Sequence, residues 1–289
     1  MIVTKEGNKL FLDKREGSAF DLVSVNENAT EAPTDDKESM NSALALSMEA
    51  SYVNRCFTQQ AVLASERVAF SRPNPLQPQG EPAVPPCVYR YRQWALGSDV
   101  NLVLRTHLDA GLQQSGSTSE ITEDFEATHG PAETQFLTLK TLLEYDSRVS
   151  NTPDWRQKLD SMKGAVLATE LKNNGVKLAR WTLEALLSGA DQMRVGFVSR
   201  QSPKDRRRHV LLGSGLFKPQ DFASQMNFDV NAGWGIVKTV VDLCLNKLED
   251  GKYVLMKDPN KPVLRLYAVP AGALERDDSV ASVDGSVVE

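Results

Sequence analysis

Apolar and polar residues alternate in short runs over much of this chain. KLFLDK and FDLVSV alternate on either side of REGS, which predicts a β-hairpin at the start. From residue 42 to 70 the spacing changes: Leu44, Met48, Tyr52 and Cys56 recur every fourth position, which predicts a helix burying that stripe. Ser51, Asn54, Arg55 and Thr58 fall on another face, polar and open to a ligand. VYRYRQWALGSDVNLVLRTHLDAG predicts two strands around a turn at Gly97 and Ser98, and QFLTLKTLLEYDS a further apolar strand.

The run ATELKNN reads as another strand, over residues 165–171, so that Glu170 and Lys172, two apart, project from one face at its end. A helix closing near Gly189 follows, with Lys177, Arg180 and Glu184 on a charged stripe and Leu178, Trp181, Ala185 and Leu186 on the apolar side. MRVGFVSR and RHVLLG predict two strands, PQDFASQM a short helix opened by proline, and NAGWGIVKTVVDLCLNKLE a longer helix capped by Asn227 or Asp229. KYVLMKDPNKPVLRLYAV closes as a hairpin turning at Asp258 to Lys261. Strands and helices interleave while hairpins stay frequent, so the expected class is α/β, with two mixed β-sheets packed together and flanked by helices.

Segments 26–42 and 110–134 are polar and acidic loops, and 71–86 holds six prolines, which excludes both helix and central strand. A single domain is expected over 1–270, followed by a disordered acidic tail at 271–289. Because the chain opens on what reads as the middle of a sheet, it is expected to be the C-terminal part of a longer protein.

The 41% hydrophobic and 25% charged fractions of its 289 residues are those of an ordinary globular protein. No apolar run reaches the length of a bilayer crossing, so no membrane partner is expected, and a cytoplasmic location is. Cys56, Cys87 and Cys244 have neither disulfide nor metal-knuckle spacing and read as buried free thiols. A net charge of −5 opposes indiscriminate nucleic-acid binding, yet Arg200 to His209 holds five Lys or Arg residues against one acid, a local patch fit for a short phosphate chain or a solvated turn.

Three strand-type segments end in polar pairs two residues apart: His107 with Asp109, Glu144 with Asp146, and Glu170 with Lys172. Glu49 adds a carboxylate near the start of the first helix. Carboxylates converging from separate strands provide the oxygen ligands that Mg²⁺ takes, with Lys172 placed to neutralise developing charge. Nucleophilic hydrolysis lacks support, since there is no GxSxG and the three histidines lie in unrelated segments. Phosphate-binding GxGxxG and P-loop motifs are also missing.

KLFLDKREGSAFDLVSV, MEASYVNRCFTQQ, VYRYRQWALGSDVNLVLR, LEYDSR, DWRQKLDS, GAVLATELKNN, KLARWT, FKPQDFASQMN and GKYVLMKDPNKPVLRLY resemble, in order, the d subunit of eukaryotic translation initiation factor three. The resemblance covers nearly the whole chain outside the loops and tail. It implies a domain that binds the 7-methylguanosine cap at the 5′ end of messenger RNA, with a DXO-like fold similar to decapping and 5′-end exonucleases. On the motifs of those nucleases Glu49, Asp109 and Glu170 fall at the metal positions, with His107 where they carry glutamate, so no catalysis and no required cofactor are expected, Mg²⁺ being the ion such a site could hold. The family's cap-contacting helix face falls on Ser51, Asn54 and Arg55, and a gate over the RNA channel on 147–164 or 110–134.

A methylated guanine is a cationic ring that stacks on an aromatic beside an acid, and its triphosphate takes Arg or Lys donors. Arg55, Lys172, Lys177, Arg180 and Arg200 are the candidate donors, with Trp181 or Tyr52 to stack. The resemblance further implies as partners the capped 5′ end, other subunits of initiation factor three and the small ribosomal subunit. A metal-dependent 5′-end hydrolase and a protein-docking module without RNA binding are the alternative readings.

Overall fold

The computed structural model describes residues 1–14, 21–63, 65, 88–97, 99–113, 134–146 and 154–270. The proline-rich stretch 71–86, Cys87, most of loop 110–134, the first part of segment 147–164 and the tail 271–289 fall outside them. The chain divides into two compact units, one made by Met1–Asp21 with Asn231–Glu289 and the other by Leu22–Val230.

In the first unit, β1 (Ile2–Glu6) and β2 (Lys9–Asp13) form a hairpin, and β9 (Gly251–Lys257) and β10 (Leu264–Ala268) form another. They join as one antiparallel sheet in the order β10-β9-β1-β2. The turn between β1 and β2 passes through Gly7 at φ +58°, a left-handed conformation that glycine enters without a Cβ penalty. The first hairpin thus lies one arm earlier than the alternation of KLFLDK with FDLVSV predicts. Leu22 to Val25 form no strand: their alternation reflects Val23 and Val25 inserting into the core, while the Val23 amide donates to Ser51 Oγ at 2.7 Å. The closing hairpin turns as expected, with Asp258 accepting from the Asn260 and Lys261 amides and from Arg265.

In the second unit, β3 (Val88–Gly97) and β4 (Val100–Leu108) form a two-stranded antiparallel ribbon. A four-stranded sheet runs β5 (Ala110–Gln113), β6 (Thr134–Leu143), β7 (Gln192–Ser202), β8 (Asp205–Phe217), parallel at β6–β7 and antiparallel elsewhere. The class is mixed α/β, as expected, but the described residues form three sheets and only this one is mixed. β5 also occupies the first residues of what reads as a loop from 110. Parallel neighbours need a crossover, and α2 (Trp155–Lys158), α3 (Lys163–Asn173) and α4 (Gly175–Ser188) lie along it. Gly189, at φ +66°, ends α4. Further on comes α5 (Pro219–Gln225), opened by its proline; α6 (Val230–Lys247) begins at the end of this unit and otherwise belongs to the first.

The core of the second unit gathers Phe136, Leu142 and Leu143 of β6, Met193, Val195 and Phe197 of β7, and Leu178, Trp181 and Ala185 of α4. Trp155 packs edge-on against Phe197 at 5.4 Å, which anchors the described end of segment 147–164. α1 (Ala43–Gln60), N-capped by Ser42 Oγ accepting from Ala45 at 3.3 Å, packs on β6. A Cβ at Gly196 would lie 3.1 Å from Phe57, so that glycine lets α1 settle onto the sheet.

Two further sequence expectations are overturned. α1 buries Leu46, Glu49, Ala50 and Val53, spaced i, i+3, i+4 and i+7, while Leu44, Met48 and Tyr52 are 63%, 59% and 66% exposed. The stripe expected to be buried is the outer one. Residues 165–171 form no strand but lie inside α3, where a separation of two turns side chains about 200° apart. Glu170 is consequently buried and Lys172 exposed.

Candidate functional site

Glu49 is the organising residue. α1 carries it on the stripe that faces the sheet, where its side chain is only 4% exposed, and a buried carboxylate needs a cation and hydrogen bonds to remain charged. The β7–β8 hairpin supplies both. It turns at Pro203 and Lys204 and places Arg200 opposite His209, so the two side chains emerge on one face. Arg200 grips Glu49 through Nε at 2.8 Å and Nη2 at 2.6 Å, and His209 Nε2 lies 2.8 Å from Glu49 Oε1. The guanidinium also donates to Asn41 Oδ1 at 2.7 Å, tying down the approach to α1. Burial pushes the Glu49 carboxyl up, but the bonds and charges of Arg200 and His209 outweigh it and hold the carboxyl below its ordinary value.

Above this centre opens a cleft of about 920 Å³. Leu44, Met48 and Tyr52 of α1 form an apolar flank, Arg206 and Arg207 of β8 a cationic one, and Asp35 and Lys37 the rim. Arg206 and Arg207 are exposed and enter no ion pair among the described residues, whereas Arg208 lies 3.9 Å from Asp205. With Glu49 neutralised from below, the cleft offers three cationic side chains against the single carboxylate of Asp35.

The other expected ligands are dispersed into separate local roles. β5 covers β6 only as far as Leu137, and beyond it side chains take over the edge. Asp109 Oδ2 accepts from the Leu139 amide at 2.7 Å, and Asn54 Oδ1 accepts from the Thr141 amide at 2.8 Å. Ser51 Oγ accepts from Val23 and donates to the Ser47 carbonyl. The expected cap-contacting face of α1 therefore commits Ser51 and Asn54 to internal bonds, and Arg55 alone of the three is exposed.

Glu170 is buried and receives the Asn174 amide at 2.7 Å. Burial raises its carboxyl to about 7 against the opposing pull of Lys177. Lys177, expected on a charged outer stripe, is 3% exposed, donates to the Ser24 carbonyl at 2.6 Å and is pushed down to about 8 by burial. Arg180 is 3.6 Å from Glu184, which also pairs with Lys140. Lys172 lines a second cleft of about 440 Å³ beside Met226 and Phe228.

Glu49, Asp109 and Glu170 do not fit a shared metal. Each is engaged by other groups, Asp109 further by His107 at 3.4 Å, and no cluster of three His, Cys, Asp or Glu able to hold an ion occurs among the described residues. Sequence reasoning missed His209 and Asn41. Register alone does not find His209: a regular two-residue turn at Pro203 and Lys204 sets Arg200 opposite Arg207, and the irregularity between Arg200 and Ser202 shifts the pairing to His209.

The family model described as eukaryotic translation initiation factor 3 subunit 7 (eIF-3) matches residues 1–268. The d subunit of eukaryotic translation initiation factor 3 from Danio rerio is 47% identical over 281 residues, covering 96% of this chain and 48% of that protein. The Homo sapiens protein of the same name is 46% identical over 281 residues, with the same shares covered. The chain thus spans about half the length of these relatives. Among solved structures, Scheffersomyces stipitis Rai1 in complex with (3′-NADP)+ and calcium ion is similar at a TM-score of 0.38 and 16% identity, over 61% of this chain and 39% of that one. No described helix is long and apolar enough to cross a membrane. By the extent of the family match and the identity of these relatives, the chain belongs to the d-subunit family of eukaryotic translation initiation factor 3.

Proposed function

We propose that this chain binds the capped 5′ end of messenger RNA, as a non-catalytic part of an initiation factor 3 assembly that works with the small ribosomal subunit. The observation that supports the reading is the cleft over Glu49, where an apolar aromatic flank meets a cationic one in a volume of about 920 Å³. A 7-methylguanine carries positive charge and stacks on an aromatic face, which Tyr52 offers beside Met48, with Asp35 at the rim as the acid. Arg206, Arg207 and Lys37 then face the triphosphate, where guanidinium forks suit phosphate oxygens. Arg55, exposed on the same helix one turn beyond Tyr52, is the candidate for a following phosphate, whereas Lys172 lines the separate smaller cleft. Arg200 acts indirectly, by keeping Glu49 from repelling the phosphates.

Hydrolysis is disfavoured because it requires carboxylates free to hold a metal, and Glu49 has both oxygens engaged. Cap-labelled RNA crosslinked to the chain tests the proposal: labelling is competed by methylated cap analogue and not by its unmethylated form. Equal competition by both would reject it. Added Mg²⁺ or Mn²⁺ is expected to release neither cap nor nucleotides.

A further inference from the structure

The β3–β4 ribbon has two faces of different chemistry. Its inner face carries Arg90 and Arg92, which donate to the carbonyls of Ser188 and Gly189 and of Leu186 and Leu187 at the end of α4. Cations there complete the last turn of the helix and fix the ribbon in place. The outer face carries the exposed residues of both strands. The register sets Tyr89 opposite His107, Tyr91 opposite Arg105 and Gln93 opposite Val103, all pointing outward by the alternation of the strands.

Tyr89 and Tyr91 are 45% and 60% exposed. The Arg105 guanidinium lies over the Tyr89 ring at 4.9 Å, and the His107 ring is 5.8 Å from it. No carboxylate occupies the outward positions of either strand, although the chain as a whole carries −5. Among the described residues Asp109 lies 3.4 Å from His107, and its carboxylate is 7% exposed and turned to the Leu139 amide.

An exposed apolar face alone would suit many partners, but this one combines aromatic rings, a guanidinium and side-chain amides, with no carboxylate at the outward positions of its two strands. Tyrosines two apart on a strand stand about 6.7 Å from each other, which presents two stacking surfaces in succession. Bases of any sequence stack on such rings, amides of the Gln93 type bond base edges, and arginine meets the phosphates between. A duplex would hide its base faces, so a single strand fits and a double helix does not. We propose that the outer face of the β3–β4 ribbon binds single-stranded RNA, with bases stacked on Tyr89 and Tyr91 and a phosphate held by Arg105. The surface shares no residue with the cleft over Glu49, so it stands whether or not that cleft takes a cap.

The test uses the full chain and an uncapped, fluorescein-labelled oligouridylate, read by fluorescence anisotropy across a salt series, with methylated cap dinucleotide titrated in parallel. The Tyr91→Ala/Arg105→Ala double variant is expected to bind the oligonucleotide about tenfold more weakly, with its salt slope shallower by about 0.7. Tyr91→Phe, which keeps the ring, is expected to bind like the parent. Cap dinucleotide binding should stay unchanged in all of them, which separates failure here from failure of the cap proposal. Undiminished oligonucleotide binding by a double variant with parental circular dichroism would overturn the inference, as would an absence of binding by the parent chain. Loss of binding to purified initiation factor subunits with RNA binding intact would assign the face to protein contact and overturn it equally.

Discussion

At the scale of residues, the second unit is governed by two buried charges that are handled in opposite ways. Glu49 is paired, bonded and held below its ordinary value, so the stability it contributes is present above about pH 4.5 and is lost as the pH falls through its lowered value. Arg200→Met would strand that carboxylate, and urea denaturation at neutral pH is expected to show a loss of about 3–5 kcal/mol. Glu170 behaves in the reverse sense. Its carboxyl is raised to about 7, so the folded state binds more protons than the unfolded chain between the ordinary value of 4.5 and 7, and its contribution declines as the pH rises across that range. Lys177, lowered to about 8, adds a cost below that pH that is relieved as the pH climbs toward its ordinary 10.5. Glu170→Gln keeps the oxygen that meets Asn174 and removes the titration. Melting temperatures of parent and variant at about pH 5 and about pH 7 should show the parent losing more stability on going to the higher pH. Parallel curves would contradict this account of Glu170.

At the scale of elements, what was legible followed local rules, and what was missed came from polar residues on buried faces. The β3–β4 ribbon, the β7–β8 and closing hairpins and the proline-opened α5 carry their own turn and cap signals, and each forms where expected. α3 was hidden because its inward stripe runs Val166, Leu167, Glu170 and Asn173, so polar residues interrupt the helical period and leave a short apolar run that imitates a strand. α1 has two apolar stripes, and the one it buries includes Glu49, a choice that only the cations of the β7–β8 hairpin make possible. Asn54 illustrates the same blindness: its helix position is readable, but its bond to an uncovered strand edge is a tertiary fact. Asn54→Ala leaves the Thr141 amide, in a residue 1% exposed, without its acceptor. A cost of about 1–3 kcal/mol is expected, with faster hydrogen exchange at Thr141, and Asn54→Asp should restore most of the protection.

At the scale of the whole molecule, the β7–β8 hairpin joins the buried centre to the open cleft. Arg200 and His209 reach inward to Glu49, while Arg206 and Arg207 near the turn face outward into the cleft that Tyr52 and Met48 border. One short basic run, ambiguous in the sequence between a solvated turn and a phosphate site, thereby serves two purposes: it neutralises the floor and supplies the cationic wall. Its charges are local, so the proposed phosphate recognition is compatible with a net charge of −5. The most direct test is an equilibrium titration of methylated and unmethylated cap dinucleotides against the parent chain and an Arg206→Ala/Arg207→Ala variant. The methylated form should bind the parent more tightly, and the variant should lose about tenfold or more of that affinity while its melting temperature stays the same. Equal affinity for the two dinucleotides, or an affinity that the variant keeps in full, would contradict the assignment of the cap to this cleft.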